Sequence, residues 1–321
     1  MNVAVEFDQV TKAFRKRRKV TTALDNFTAH IPSGVSCCFI GPNGSGKSTA
    51  FNLLTGLLAP GEGSVKTFGH NPSADQKAVA KLSAIQLQSS KLFPSLTAED
   101  MLTLWSHIYG NAKSPKSILT SLKMEYFKDR PIEKLSGGQY QLVSVASALI
   151  ANAPLTILDE PTNNLSPELK ANVWDYISKY AKDREKTLIF STHTMEDAEK
   201  YSDWVVLLNG GKTLYVGPTN ELISKAFPLS QEISFTVSLE HSEDEVFKNE
   251  LNKIMKNEVN VGQEKVDDGI AYIISTQPEE KDRILHDIAR LDNIKDLNWR
   301  KKNLEDTYNE IVMKATPLEL D

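Results

Sequence analysis

The spacing of apolar residues divides the chain into four stretches. The first is strand-rich, with apolar runs or alternation at residues 3–7, 24–27 and 35–40. Val35-Ser36-Cys37-Cys38-Phe39-Ile40 is nearly all apolar, the mark of a strand covered on both faces and hence central and parallel in an α/β sheet. A Gly-rich turn follows it, then a helical pattern from Ser48 to about Leu58. From about Thr97 to Ile150 the spacing is mostly helical and carries Trp105, Ile108, Leu119 and Leu122, which predicts a helical subdomain inserted into the sheet domain. Strands return at 155–158, 187–190 and 204–208 with helices between them, the alternation of a parallel sheet.

After Pro228 the pattern changes. Ile233, Phe235, Val237 and Leu239 alternate, then Phe247, Leu251, Ile254 and Met255 fall at helical spacing. A second strand at 270–275 and a helix lined by Ile284, Leu285, Ile288 and Leu291 follow, giving a split βαβ arrangement that resembles a small ferredoxin-like α+β domain. The expected division is a domain at 1–227, with the helical subdomain at about 90–150, and an accessory domain at 228–321. A chain of 321 residues suits two hydrophobic cores of this kind. No internal repeat or low-complexity segment occurs.

Composition narrows the picture. Apolar content of 40% with 25% charged residues is that of a globular chain. No run is long and apolar enough to span a bilayer, and the amino terminus enters a strand pattern without the basic flank and apolar stretch of a signal peptide. A cytoplasmic chain is expected. Cys37 and Cys38 are neighbours on a strand, point to opposite faces, and read as small buried hydrophobes in a reducing compartment. A net charge of −5 argues against general affinity for nucleic acid, which requires a broad cationic face.

The candidate chemistry begins at Gly41-Pro42-Asn43-Gly44-Ser45-Gly46-Lys47-Ser48, which fits the phosphate-binding loop of Gly, four residues, Gly, Lys, Ser, and lies between a buried strand and a helix. Glycines let successive N–H groups face an anion, and the helix N-terminus adds partial positive charge. Lys47 is expected to reach the β- and γ-phosphates, Ser48 to ligate Mg2+ and Thr49 to help hold the phosphates. Asp159-Glu160 closes the apolar strand at 155–158, and parallel strands deliver their C-terminal ends to the ligand crevice. Asp159 is placed to hold the metal through water, and Glu160 to polarise an attacking water as base.

Leu135-Ser136-Gly137-Gly138-Gln139, upstream of those strand acids, resembles the signature of the ATP-binding cassette (ABC) ATPases, and the likeness extends over about residues 1–225. It implies an ABC-type P-loop NTPase fold: a parallel-sheet core, an antiparallel strand-rich lobe and the inserted helical subdomain. Further elements are implied in order. Gln88 resembles the glutamine that touches magnesium and senses a membrane subunit, with Gln86 a competing candidate; His193 resembles the switch histidine that contacts the γ-phosphate; Phe14 resembles the aromatic that stacks on adenine, a core role being the alternative. Ser136 and the two glycines are implied to bind the γ-phosphate held by an opposite subunit, so the resemblance implies ATP, Mg2+ and a homodimer or heterodimer of ATPase subunits.

Two departures stand out. In Asn163-Asn164-Leu165-Ser166-Pro167 a serine replaces the usual aspartate, and Leu142 stands where many relatives carry arginine. Arg15-Lys16-Arg17-Arg18-Lys19 lengthens a hairpin, either as a solvated loop or as a contact for anionic headgroups or an acidic partner. A single phosphate loop and signature, with no sustained heptads, leave the transporter ATPases, and Asn303-Leu304-Glu305-Asp306-Thr307-Tyr308 resembles an ending found in the drug, antibiotic-peptide and polymer export branch. The expectation is an ATPase subunit peripheral on the inner face of the cell membrane, powering a separate transmembrane permease. A soluble regulator of a protein or ribosomal partner is the alternative.

Overall fold

The computed structural model describes residues 2–16, 19–87, 91–110, 112–183, 185–255, 260–267 and 269–315. The chain divides into two units, Met1–Thr219 and Asn220–Asp321. The change of period after Pro228 marks this boundary late, because the helix ahead of it carries no such change.

The first unit opens with two long strands, β1 (Val3–Lys16) and β2 (Lys19–Pro32), followed by the short β3 (Ser36–Ile40) and helix α1 (Lys47–Leu54). Then come β4 (Glu62–Thr67), α2 (Gln76–Leu82) and β5 (Ser83–Gln86). Strands β1, β2 and β4 make an antiparallel sheet in the order β2-β1-β4. Pairing continues to Arg15↔Val20 and Lys16↔Lys19, so the flanks of the basic run are strand rather than loop; Arg17 and Arg18 lie outside the described residues. Helix α1 ends at Leu54, earlier than the apolar spacing implies, where Thr55 and Gly56 take over as a turn.

The helical subdomain holds α3 (Ala98–Ile108), α4 (Pro115–Ser121), 3-10 turns at Glu125–Phe127 and Ile132–Lys134, and α5 (Gly137–Leu149). Thr97 and Asp100 form a reciprocal capping box that starts α3. Leu119 and Leu122 are buried, whereas Ile108 is 58% exposed at the end of α3. The chain then returns through β6 (Leu155–Asp159), α6 (Pro167–Ala181), β7 (Thr187–Ser191), α7 (Met195–Tyr201), β8 (Trp204–Asn209) and β9 (Lys212–Pro218).

These strands form a six-stranded sheet in the order β5-β6-β7-β3-β8-β9, parallel except for the edge strand β9. Every residue of β3, β6 and β7 is buried, as continuous apolar runs require in a sheet covered on both faces. Cys37 and Cys38 are buried and free. Burial drives both thiols to higher pKa, so they behave as packing groups. One core cluster draws on both sheets; within it Phe7 and Phe27 pair edge-on across β1 and β2 at 5.0 Å, and Phe39 of β3 pairs edge-on with Phe51 of α1 at 5.1 Å between ring centroids.

Helix α8 (Thr219–Ala226) leads into the second unit, which runs β10 (Gln231–Val237), α9 (Leu239–Glu243), α10 (Glu245–Met255), β11 (Asn260–Val266), β12 (Gly269–Thr276), α11 (Lys281–Ile288), β13 (Lys295–Lys301) and α12 (Leu304–Ala315). Its antiparallel sheet has the order β11-β12-β10-β13, the split βαβ arrangement of a ferredoxin-like fold. Ile233, Phe235 and Val237 alternate onto a core with Phe247, Leu251, Tyr272, Ile284 and Ile288. Leu239 does not extend that alternation: Ser238 accepts from the His241 amide, caps α9, and turns Leu239 out to 44% exposure. The edge strand β13 is exposed at every position.

Candidate functional site

The loop between β3 and α1 is shaped by two glycines. A Cβ on Gly41 would lie 2.4 Å from the Leu208 carbonyl oxygen, and Gly46 holds φ 109° with its would-be Cβ 2.6 Å from the Ala23 carbonyl oxygen. Only glycine fits either position. Lys47 donates from Nζ to the carbonyls of Gly41 at 2.7 Å and Pro42 at 3.1 Å, which stretches its side chain back along the loop. Partial burial lowers the pKa of this amine, while the carboxylates of Asp159 and Glu160 act to raise it. Ser45 is buried, and its hydroxyl has no hydrogen-bond partner among the described residues.

The carboxylates come from the end of β6. Asp159 is buried and accepts from Ser48 Oγ at 3.0 Å and from Ser191 Oγ at 2.6 Å, so the loop and the strand acid meet through one hydroxyl. Glu160 takes φ 50°, a left-handed conformation that costs a residue with a Cβ about 1–3 kcal/mol. Its surroundings hold it there. Its N–H donates to Ser191 Oγ at 3.0 Å, its carbonyl accepts from Gln141 Nε2 at 3.0 Å, and its Oε2 accepts from Asn163 Nδ2 at 3.0 Å.

Loop and acids face one open cleft of about 860 Å³. Asn43, Gly44, Ser45, Gly46, Lys47, Ser48 and Thr49 line it together with Asp159, Glu160 and His193, and Phe14 stands at its wall, 42% exposed. Gly41 and Pro42 do not line it; their carbonyls accept from Lys47. Thr21, Thr22, Ala23 and Asn163 also line it. Sequence spacing carries no sign of the first three, which arrive by pairing: Phe14 faces Thr21, and Ala13 faces Thr22, across β1 and β2. Gln88 lies outside the described residues. Gln86 is buried and donates to the Asp159 carbonyl at 3.2 Å, a bond that supports the end of β6.

The segment at Leu135, Ser136, Gly137, Gly138 and Gln139 does not line this cleft. Ser136 caps α5, accepting from the Gln139 amide at 3.3 Å while Gln139 Oε1 accepts from the Ser136 amide at 3.1 Å. Ser136 and Gly137 are exposed, and open space surrounds Gly137. Both departures have local explanations. Ser166 accepts from the Leu169 amide at 3.4 Å and caps α6, a task that serine and aspartate perform about equally. Leu142 is fully buried in the core side of α5, where an apolar side chain packs without a charge to satisfy.

For an oxygen-seeking cation the site offers Ser48 and Asp159, already within hydrogen-bond distance. Among the described residues no group of three or more His, Cys, Asp or Glu converges as a metal cage. Such a donor set suits Mg2+, which is usually held by one or two protein oxygens with phosphate and water completing its shell.

A glycine loop entering a helix beside two strand acids, at the C-terminal edge of a parallel sheet, defines a P-loop nucleotide-binding domain. Residues 24–163 match the family model described as ABC transporter, and this chain carries an ABC transporter ATPase domain. It is 27% identical over 314 residues to Nod factor export ATP-binding protein I of Paraburkholderia xenovorans, covering 95% of each chain. It is 32% identical over 229 residues to Cholesterol transporter ABCA5 of Rattus norvegicus, matching 69% of this chain and spanning 14% of that much longer relative. Glycine betaine/carnitine/choline transport ATP-binding protein OpuCA of Bacillus subtilis is 30% identical over 227 residues, 68% of this chain and 59% of its own length. Among solved structures, an ATP-binding cassette in a dimeric post-hydrolysis state bound to ADP and Pi is 28% identical with a TM-score of 0.60, over 67% of this chain and 98% of that one.

Proposed function

We propose that the chain is the ATP-binding and hydrolysing subunit of an ABC exporter, paired as two cassettes and coupled to a separate membrane permease. The observation that carries this reading is the single cleft in which Lys47, Ser48, Asp159, Glu160 and His193 meet. ATP enters with adenine on the exposed face of Phe14 and its phosphates over the loop amides from Asn43 to Thr49. Lys47 exchanges its loop carbonyls for phosphate oxygens, and the buried Ser45 hydroxyl lies beside the same loop. Ser48 and Asp159 would hold Mg2+, which supplies charge neutralisation on the phosphates. Glu160 draws the proton from the attacking water, and His193 orients that water beside the terminal phosphoryl. Gln88 keeps the metal and membrane-subunit role that the family resemblance gives it.

The exposed, self-capped N-terminus of α5 supports pairing, because a helix end with free glycines suits an anion brought by a second copy. Among the described residues no helix is long and apolar enough to cross a membrane. The export reading draws on the relative matched over 95% of both chains, whose name is a Nod factor export ATP-binding protein.

Glu160→Gln tests the chemistry. ATP binding should persist while turnover falls about 10²- to 10⁴-fold, the usual contribution of a positioned acid–base group. Undiminished turnover removes Glu160 as the base. Copurification from detergent-solubilised native membranes tests the partner: a stoichiometric multi-span subunit supports the transporter reading, and its absence favours a soluble regulator.

A further inference from the structure

The turn at Glu160 and Pro161 is held from an unexpected side. Gln141, on the helix that begins with the signature glycines, donates from Nε2 to the Glu160 carbonyl at 3.0 Å and to the Pro161 carbonyl at 3.1 Å. Both acceptors are carbonyls, so only the amide NH2 of Gln141 can face the turn, and its two N–H bonds serve one carbonyl each. The same turn carries Asn163, whose amide N–H donates to the Glu160 carbonyl at 3.2 Å and whose Nδ2 donates to the Glu160 carboxylate. A second contact lies one turn back along the helix, where a Cβ on Gly138 would come within 3.3 Å of the Asn164 carbonyl oxygen.

Helix α5 is seated unevenly. All residues from Leu142 to Leu149 are buried, whereas Ser136 and Gly137 are exposed. Gln141 stands at the junction between the free end and the packed end. A shift of the N-terminal turn toward a bound anion therefore reaches the left-handed Glu160 directly, through close-packed groups that transmit displacement.

We propose that Gln141 is a positioning residue that couples the signature helix to Glu160 of the same chain, so that engagement of the helix N-terminus places this carboxylate to take the proton of the attacking water. Within a pair of cassettes this links one nucleotide, gripped by the helix end, to hydrolysis of the other. The inference rests on the reading of Glu160 as the base.

The test uses the full chain carrying Gln141→Met, which keeps length and loses both donors. Steady-state turnover should drop roughly 10- to 100-fold, the scale of a misplaced reacting group, with KM for ATP within about twofold. In a Glu160→Gln background the same change should leave the residual rate and the ATP-driven association unaltered, because both substitutions act through one carboxylate. Gln141→Lys, which restores a donor, should recover part of the turnover, and it replaces the methionine variant if that one does not fold. A wild-type rate in Gln141→Met, a full additional loss on top of Glu160→Gln, or weakened association overturns the coupling. If Glu160→Gln itself keeps full activity, the base assignment fails instead, and the two failures are distinguishable.

Discussion

In the first unit Lys47, Ser48, Asp159 and Glu160 gather at the C-terminal ends of parallel strands and face a cleft. The second unit spends its charges differently. There Glu232 accepts from Arg300 Nε at 2.7 Å and pairs with Lys302, while Arg300 reaches both oxygens of Asp306 at 3.0 Å. Asp306 Oδ2 also accepts from the Asn303 amide and Asn303 Oδ1 from the Asp306 amide, each at 3.0 Å, a reciprocal cap on α12. One set of polar groups is held by loop carbonyls and neighbouring hydroxyls that a ligand can replace. The other set neutralises itself and fastens the last helix to the sheet. The contrast teaches that a charge cluster marks a site only when its partners are exchangeable.

Phe235→Ala gives the largest expected separation of the two units. Phe235 is 1% exposed and stacks on Tyr272 at 5.3 Å, so its loss should destabilise the second unit by about 3–5 kcal/mol. Hydrogen exchange over residues 231–301 would read this, with nucleotide affinity unchanged; a fall in affinity would break the comparison. Lys47→Ala should act in the opposite sense, weakening ATP binding on the order of 100-fold, as expected for loss of about two charge-assisted bonds. Equilibrium nucleotide titration checks it, and thermal stability should hold because only loop carbonyls lose a partner.

Arg300→Met should cost the second unit about 1–2 kcal/mol at neutral pH. Burial raises the carboxyls of Glu232 and Asp306, but hydrogen bonds, from Lys302 and Arg300 to the first and from Asn303 and Arg300 to the second, more than offset it and hold both below the ordinary range. Groups depressed in the folded state stabilise it above their unfolded values of about 4 and lose that contribution as pH falls through the folded ones. Urea midpoints of the variant and the parent should therefore converge in acid. The smallest effect is expected for Phe14→Ala, about threefold to tenfold in ATP affinity, from the loss of one stacking face. An unchanged affinity would move the adenine elsewhere along the cleft.

Much of the first unit is legible along the chain because its signals are local. The phosphate loop needs glycines where a Cβ would strike the Leu208 and Ala23 carbonyls, and buried parallel strands need unbroken apolar runs. The edge strands β11 and β13 escape such reading. Residues 261–266 and 295–301 bury too little to need an apolar period, and the pairing of these strands with β12 and β10 is decided by backbone hydrogen bonds. Leu239 misleads for a related reason, since a serine cap outranks one more alternating residue.

What the amino-acid order determined by itself is the chemistry available: a lysine on a glycine loop, two acids ending an apolar strand, and a glycine-rich helix start. Only the tertiary structure decided which of these share a cleft, and that Gln141 closes with Asn163 around Glu160. The physical reason is range. Backbone conformation and caps depend on a few consecutive residues, whereas hydrogen bonds across 19 positions, as from Gln141 to Glu160, exist only once packing has brought the two segments together.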